Sequence, residues 1–388
     1  MPTKPSRILV TGGTGYLGAH IVDLLLERGI VVVVTARSES KANDFAERRS
    51  RFKDLLEVIV TGDLTAVGAF DDLAKDVDVI IHCASPLPNE PLSGSALSKI
   101  IIEPAIAGTL SILQAARKNP TLKRLILTSS VAAVLSIASP VRSPDGDHFT
   151  AEDWNPITYE EGMKTDNPLV AYRAGKKYAE LEAWAAVHLK SEHLRLLELD
   201  PSYPRHTNYT QQTTPPNDRT FDLTVFCPPL IFGPWVHPLG QSGLASSNDS
   251  IRQFRNIVRG DYHTSVLPNV LASLWVDVRD VALAHVEAAL RLNSSEHPSI
   301  SNGRYVICSP EKFNFHLVGD IMREEFPEWA EEVLPPKEET PPFKNITLDG
   351  TPATRDLGVT YRSFRECVID LVRQLRAEVL REAEANKS

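Results

Sequence analysis

Three short motifs carry residue types that could do chemistry together. Tyr172 stands four residues before Lys176, the glycine-rich stretch 11–18 lies far upstream, and Thr128-Ser129-Ser130 falls between them. Residues four apart on a helix share a face, so the phenol and the ammonium would lie side by side. Together and in this order, the motifs predict a nicotinamide-binding loop with a phenol beside it that can supply a proton.

The glycine-rich stretch has the pattern of a dinucleotide-binding turn. The apolar run 7–10 is typical of a buried parallel strand, and the helical pattern 19–28 follows the glycines. Glycines at such a turn let the backbone approach a pyrophosphate, which then lies at the helix N-terminus. The residues predicted to bind the cofactor here are Gly12, Gly15, Tyr16, Leu17 and Gly18.

The end of the second strand pattern indicates which cofactor binds. Val31 to Thr35 is continuous and β-branched, and it should lie beside the first strand. A site for NAD usually places an acid about 20 residues past the loop to hold the ribose 2′-hydroxyl. This chain has Arg37 there, with Lys41 one turn further on. Because two cations would pair with a 2′-phosphate, the sequence predicts NADP(H).

Strand and helix patterns alternate through the first half of the chain. Further strands are predicted at 58–61, 78–82, 125–128 and 221–226. Such alternation favours an α/β fold, a doubly wound parallel (Rossmann) sheet with helices on both faces. Ligands bind at the carboxyl ends of such strands. The further cofactor-binding residues predicted at those ends are Asp63, Leu64, Ala84, Ser85 and Pro228.

The pattern also predicts how the chain is divided. Residues 1–229 would form the dinucleotide-binding domain, with a polar, proline-rich excursion at about 192–219. Residues 230–273 and 309–375 would form a smaller substrate-binding cap, while 274–308 returns to the Rossmann domain. The charged residues 376–388 are expected to be a frayed tail.

Composition is typical of a large enzyme without nucleic-acid or membrane partners. The chain has 388 residues, of which 42% are hydrophobic, and a net charge of −9. No apolar run approaches the roughly 20 residues of a membrane helix, and no signal peptide is evident. Scattered cysteines indicate reduced thiols and a cytoplasmic location. A monomer or a homodimer is expected. His82 and His285 have no partners at metal-ligand spacing, so we interpret them as core residues and expect no metal.

Over nearly its whole length the chain resembles the extended short-chain dehydrogenase/reductase superfamily. The matching motifs are 11–18, 82–86, 104–109, 128–130, 172–176 and 275–282. Within it, the chain is most similar to the dihydroflavonol reductases and the yeast-type methylglyoxal and aldehyde ketoreductases. Arg37 with Lys41, and Asp153-Trp154-Asn155-Pro156, resemble the yeast-type group in particular. The resemblance implies that Ser130, Tyr172 and Lys176 are catalytic.

Together with a bound nicotinamide cofactor, these residues could reduce a carbonyl group. The cofactor supplies hydride to carbon, and Tyr172 would supply the proton to oxygen. The positive charge of Lys176 favours the phenolate and would also hold the nicotinamide ribose in place. Ser130 would donate a hydrogen bond to the same oxygen. The expected function is therefore NADPH-dependent reduction of a ketone or aldehyde, a small-molecule substrate.

Three departures from the family pattern narrow the expected substrates. Leu135 replaces a polar residue of the plant flavonoid reductases, 167–171 lacks the tryptophan-cysteine signature of cinnamoyl-CoA reductases, and Ala105 stands where many relatives place asparagine. A flavonoid or CoA-thioester substrate is not expected. Two alternatives stay open: a hydroxysteroid-type dehydrogenase or nucleotide-sugar epimerase on the same fold, and a non-catalytic regulator that senses NADP.

Overall fold

The fold is built on one parallel sheet. A computed structural model describes residues 5–84, 97–136, 146–188, 221–236, 249–270, 272–292, 296, 298–339, 341–343 and 345–385. Seven strands pair in the order β3-β2-β1-β4-β5-β7-β10, all parallel. They are β1 (Arg7–Thr11), β2 (Val31–Ala36), β3 (Leu56–Val60), β4 (Val79–His82), β5 (Arg124–Thr128), β7 (Asp222–Cys227) and β10 (Arg304–Val306). The predicted α/β Rossmann fold class is confirmed.

Two small sheets lie outside the main one. Strand β6 (Asp147–Phe149) pairs with β11 (Ile346–Leu348), and β8 (Leu230–Phe232) pairs with β9 (Trp275–Asp277); both pairs are parallel. The first pair joins the segment after β5 to a segment near the end of the chain. The second pair contacts the helices 249–259 and 364–385 of the C-terminal part.

Helices cover both faces of the main sheet and also build the C-terminal core. They are α1 (Tyr16–Glu27), α2 (Glu39–Glu47), α3 (Asp71–Ala74), α4 (Glu103–Lys118), α5 (Tyr159–Lys164), α6 (Pro168–His188), α7 (Asp249–Arg259), α8 (Val278–Leu290), α9 (Phe315–Glu325), α10 (Pro327–Val333), α11 (Thr351–Leu357) and α12 (Phe364–Ala385). A π-helical turn, Ser98–Ile102, leads into α4, and a 3₁₀ turn, Val131–Ala133, follows β5.

Successive side chains of a strand point to opposite faces of the sheet, and each face is covered by a different set of helices. Alternate residues of β1 point to opposite sides: Ile8 and Val10 pack against α1 and α8, whereas Leu9 packs toward α4 and α6. Because both faces are covered, the strands can be apolar throughout, as their sequences are. A third apolar core, around Phe232, Trp275 and Phe313, lies between α7, α9 and α12.

The predicted divisions of the chain differ from the structure in three places. Of 274–308, α8 and β10 lie with the main sheet, whereas β9 pairs with β8 outside it. Part of the predicted cap returns to the main domain, since Ala353 and Leu357 of α11 pack in the α1 and α8 core. Helix α12 continues to Ala385, so the expectation of a frayed tail is wrong for 376–385. Leu375 and Glu378 are buried, so α12 still packs against the protein where the tail was expected to begin. The excursion at 192–219 falls outside the described residues.

One helix is an exception to the expectation that no apolar run approaches the length of a membrane helix. Ser98–Lys118 is long and apolar enough to cross a membrane by length and composition alone, with 56% of its apolar window buried inside the protein. Core helices of globular proteins pass the same test. It packs against α6, and Ile106, Ile112 and Leu113 lie in the core.

A buried arginine ties together the amino edge of the sheet. The Arg124 side chain is fully buried at the start of β5. It donates to the carbonyl oxygens of Ala288 and Arg291 at the end of α8, at 2.6 and 2.9 Å, and to Asp222 at 3.3 Å. A cation here satisfies carbonyls that the helix terminus leaves without partners.

We expect Arg124→Met to lower the free energy of unfolding by about 3 kcal/mol, because it leaves buried carbonyl groups without donors. Urea titration followed by circular dichroism measures the change. The matched control is Arg51→Met, which breaks an exposed ion pair with Glu27 and should cost less than about 1 kcal/mol. Equal effects of the two variants would contradict this role for Arg124.

Candidate active site

The glycine loop follows β1 at the carboxyl edge of the sheet. Gly12 has a φ of +69°, in the left-handed region, and a Cβ at this position would lie 2.8 Å from Ala84 N. A Cβ on Gly18 would clash with the Gly12 carbonyl. The loop therefore depends on glycine for both backbone conformation and close packing, and α1 begins directly after it. This backbone cradle fits a pyrophosphate at the helix N-terminus.

A cleft of about 440 Å³ extends from this loop along the carboxyl edge. Its described lining includes Gly12, Thr14, Gly15, Thr35, Arg37, Lys41, Gly62, Asp63, Leu64, His82, Cys83, Ala84, Ala105, Gly108, Thr109, Thr128, Ser129, Lys176 and Glu180. One continuous cleft thus joins the glycine loop, the end of β2, the end of β4 and the helix that carries the lysine. This shape fits an extended dinucleotide.

Two cations stand at one end of the cleft. Arg37 directly follows β2, and Lys41 lies in the first turns of α2; both are exposed and line the cleft. Ser38 caps α2 by accepting a hydrogen bond from the Lys41 N–H at 3.4 Å. The cap fixes the start of α2 so that both cations face one site.

Strand β3 contributes the next wall of the cleft. Asp63 accepts hydrogen bonds from the N–H and the hydroxyl of Thr65, at 2.8 and 2.7 Å, and these bonds lower the pKa of its carboxyl. Both Asp63 and Leu64 line the cleft, as does Ala84 after β4. Ser85, predicted beside Ala84, lies outside the described residues.

Four predicted cofactor residues lie outside the described lining of the cleft, and their binding roles stay predictions. Tyr16 points to the C-terminal part of the chain, donating to the Gly233 carbonyl at 2.7 Å and packing against Trp235. Leu17 is buried in the α1 core. Gly18 packs against the loop backbone, and Pro228 is buried, accepting from the Val131 N–H at 3.0 Å. None of the four is among the described residues that line the cleft.

Helix α6 places the lysine at the other end of the cleft. Lys176 Nζ donates to the Thr128 carbonyl at 3.4 Å, at the last residue of β5. Tyr172 lies one turn before it and is half-buried against the α4 and α6 cluster. At Gly175, α6 lies close to the turn before α4: a Cβ there would be in ordinary van der Waals contact, 3.5 Å from Ala105 Cβ and from Ile102 Cα.

The serine pair follows directly after β5. Ser129 is buried and donates to Glu180 at 2.6 Å. Ser130 is half-buried, and its Oγ accepts from the Ala132 N–H at 3.1 Å, which leaves its own hydroxyl proton available to donate. The structure therefore brings Ser129 and Lys176 into the cleft. Ser130 follows Ser129 in the chain and Tyr172 lies one turn before Lys176, but neither is among the described residues that line the cleft.

Buried histidines support the strand ends. His82 Nδ1 lies 2.8 Å from Thr11 Oγ1, which links the ends of β4 and β1. His285 Nδ1 lies 2.8 Å from the Val281 carbonyl, so this nitrogen carries the proton, and Nε2 lies 2.9 Å from Thr128 Oγ1. Burial lowers the pKa of His82 to about 3 and that of His285 to about 4. Both rings are neutral parts of the scaffold.

Cys83 adds a thiol to the cleft wall. Its Sγ lies 3.2 Å from Thr128 Oγ1, and burial raises the pKa of the thiol to about 11. A thiol with so high a pKa is protonated at neutral pH and is a poor nucleophile.

Sequence reasoning missed Glu180 and Arg304. Glu180 repeats the spacing of Tyr172 and Lys176 along α6, so helical periodicity could have placed it on the same face. Arg304 comes from the opposite end of the sheet order, on β10, and no local pattern connects it to the cleft.

Comparison with known proteins agrees with this geometry. Residues 8–189 match the model of the NAD dependent epimerase/dehydratase family. A putative uncharacterized oxidoreductase of Schizosaccharomyces pombe is 34% identical, covering 96% of this chain and 98% of its own. The ketoreductase azaE of Aspergillus niger is 30% identical, with coverage of 96% and 98%.

A solved structure is similar over the same length. The yeast methylglyoxal/isovaleraldehyde reductase Gre2, complexed with NADPH, superposes with a TM-score of 0.75 at 26% identity, covering 95% of this chain and 98% of that one. The chain belongs to the NAD-dependent epimerase/dehydratase family, the extended short-chain dehydrogenases/reductases. The predicted family, branch and oxidoreductase class are confirmed.

We expect acid to destabilise the fold through the buried histidines. An unperturbed imidazole has a pKa of about 6.5, above the folded values of about 3 and about 4. Below pH ~6.5 the unfolded chain therefore binds protons that the folded chain does not, and the free energy of unfolding falls as pH is lowered toward ~4. Urea titrations between pH 7 and 4 measure the slope. His285→Gln should make it shallower; an unchanged slope would contradict this assignment.

Proposed function

We propose that this protein reduces a ketone or aldehyde to an alcohol, with NADPH as hydride donor and Tyr172 as proton donor. The observation that carries the proposal is the single cleft, which joins the glycine loop and Arg37 at one end to Ser129 and Lys176 at the other. The NADPH in the Gre2 complex and the ketoreductase among the relatives support the cofactor and the reaction class.

The cofactor fits by the chemistry of its donors. The N–H groups at the start of α1 would hold the pyrophosphate, and Arg37 with Lys41 would pair with the 2′-phosphate. The cofactor supplies hydride when it is bound. Asp63 and Ala84 line the wall between the two ends of the cleft and would also contact the cofactor.

The residues of α6 and β5 handle the proton. Tyr172 gives its phenol proton to the carbonyl oxygen as hydride reaches carbon. The ammonium of Lys176, held at the Thr128 carbonyl, would stabilise the phenolate that remains and would also hold the ribose hydroxyls of the cofactor. The Ser130 hydroxyl donates to the developing alkoxide, since its Oγ already accepts from Ala132 and its proton is available.

The alternatives lack comparable support. An NAD-selective dehydrogenase or epimerase would place an acid where Arg37 stands. A non-catalytic sensor has no need for Ser130, Tyr172 and Lys176, which are all present in this chain.

Arg37→Ala should weaken NADPH binding by about 1.5–3 kcal/mol, the contribution of a charged hydrogen bond, and leave NADH binding nearly unchanged. Fluorescence titration with each cofactor measures both affinities. Lys53→Ala, an exposed cation beyond α2, is the matched control. An equal loss for both cofactors, or a preference of the unchanged protein for NADH, would show that Arg37 does not read the 2′-phosphate.

Tyr172→Phe removes only the hydroxyl, so the fold and NADPH affinity should survive while turnover falls by about 10²–10⁴. Lys176→Met should weaken cofactor binding as well as turnover, and Ser130→Ala should lower turnover chiefly. The measurement is steady-state NADPH oxidation with a panel of simple ketones, diketones and aldehydes, beside dihydroflavonols and cinnamoyl-CoA.

Tyr178→Phe, on the same helix but buried against α5, is the control. Near-normal turnover of Tyr172→Phe would mean that the proton comes from another group. Efficient reduction of a dihydroflavonol or of cinnamoyl-CoA would overturn the expected substrate class.

A further inference from the structure

Glu180 is a fully buried carboxylate on the helix α6 that also carries Tyr172 and Lys176. It lies four residues after Lys176 and eight after Tyr172, so all three share one helix face. Its side chain has 0% exposure, although it lines the inner wall of the cleft. Isolated buried carboxylates are costly, so its partners decide its role.

The partners of Glu180 come from four elements: the end of β5, β10, α6 itself and β7, from which Cys227 Sγ lies 3.6 Å from Oε2. Oε2 accepts from the Ser129 hydroxyl at 2.6 Å, and Oε1 accepts from Arg304 Nε at 2.6 Å. Trp184 Nε1 donates to Oε1 at 3.2 Å. The carboxylate therefore joins α6 to the end of β5 on one side and to β10 on the other.

Arg304 extends this connection to the loop before α5. Its Nη1 donates to the carbonyl oxygens of Ala151 and Asp153, at 2.7 and 2.6 Å. Its guanidinium carbon lies 3.9 Å from the centre of the Trp154 ring. With Glu180 satisfying Nε, the guanidinium holds the segment 151–154 in one position.

The same segment holds the turn that follows Ser130. Asn155 Nδ2 donates to the carbonyls of Ala132 and Leu135, at 2.9 and 2.7 Å. The Asn155 N–H also donates to the Ala133 carbonyl at 2.8 Å. Ser130 caps this turn, so its position depends on two contacts. On one side, Glu180 binds the neighbouring Ser129. On the other side, Asn155, next to the residues that Arg304 binds, holds the turn itself.

The energetics favour a positional role for this ion pair. A buried ion pair loses hydration on both partners, and apolar residues of similar volume often give equal or greater stability. What an apolar pair cannot supply is a directional bond to a hydroxyl and to two carbonyls at once. The charges of Glu180 and Arg304 therefore orient the Ser129 hydroxyl and the carbonyls of Ala151 and Asp153.

We propose that Glu180 and Arg304 are positioning residues, which hold the Ser130 hydroxyl in register with Tyr172 and Lys176. The proposal rests on the proposed function, in which Ser130 donates to the substrate oxygen. Neither residue transfers a proton. They act through Ser129 and through the segment 151–155.

Glu180→Gln keeps the size of the side chain and one acceptor oxygen but removes the charge opposite Arg304. We expect kcat to fall by about 10- to 100-fold, the cost of a misplaced catalytic group, while the Kd of NADPH changes by less than about threefold. Stopped-flow or steady-state NADPH oxidation gives kcat, and fluorescence titration gives the Kd. The matched control is Asp222→Asn, which breaks the Arg124 ion pair at the opposite edge of the same sheet. It should lower the melting temperature and leave kcat within about twofold.

A double-mutant cycle separates positioning from general damage. If Glu180 acts through Ser130, then Ser130→Ala should cost much less in the Glu180→Gln background than in the unchanged protein. Ser129→Ala, paired with Ser130→Ala, repeats the cycle should Glu180→Gln fail to fold.

Additive losses, or a Glu180→Gln protein with normal kcat, would overturn the positioning role while leaving the proposed function intact. If Ser130→Ala alone has normal kcat, the catalytic role of Ser130 is wrong, and the positioning role fails with it.

Discussion

Three polar pairs at the carboxyl edge of the sheet connect the walls of the cleft, and these hydrogen bonds organise the molecule. Buried hydroxyls and imidazoles without partners would each cost about 1–3 kcal/mol. Thr11 pairs with His82, Thr128 with His285, and Ser129 with Glu180. Each pair joins a strand end to a neighbouring strand or to a covering helix, so satisfying hydrogen bonds also fixes the relative positions of the cleft walls.

The two edges of the sheet use buried charge in different ways. At the amino edge, Arg124 satisfies the carbonyl end of α8, far from the cleft. At the carboxyl edge, Glu180 and Arg304 lie beside the cleft and join elements that carry the proposed catalytic groups. The first contact stabilises the fold, and the second, in our proposal, sets the geometry of a reaction.

The C-terminal part of the chain is fastened to the nucleotide-binding part close to the glycine loop. Tyr16, at the first turn of α1, bonds the Gly233 carbonyl, and Gln374 of α12 bonds both the N–H and the carbonyl of Trp235. Arg279 on α8 reaches Asp370 on α12 at 2.7 Å. The side chain of Tyr16, a residue predicted to bind the cofactor, thus contributes to the junction between the two parts.

The sequence by itself determined the fold class, the glycine loop, the cations after β2 and the phenol–lysine spacing on α6. Each of these is a local pattern: apolar β-branched runs, glycine spacing and helical periodicity all act over a few residues. Only the tertiary structure decided that Tyr16 turns away from the cleft, that α12 packs against the protein where a tail was expected, and that Glu180 meets Arg304. The partners in these contacts are separated by 217 residues for Tyr16 and Gly233 and by 124 for Glu180 and Arg304. No local pattern connects residues so far apart, because only the folding of the whole sheet brings them together.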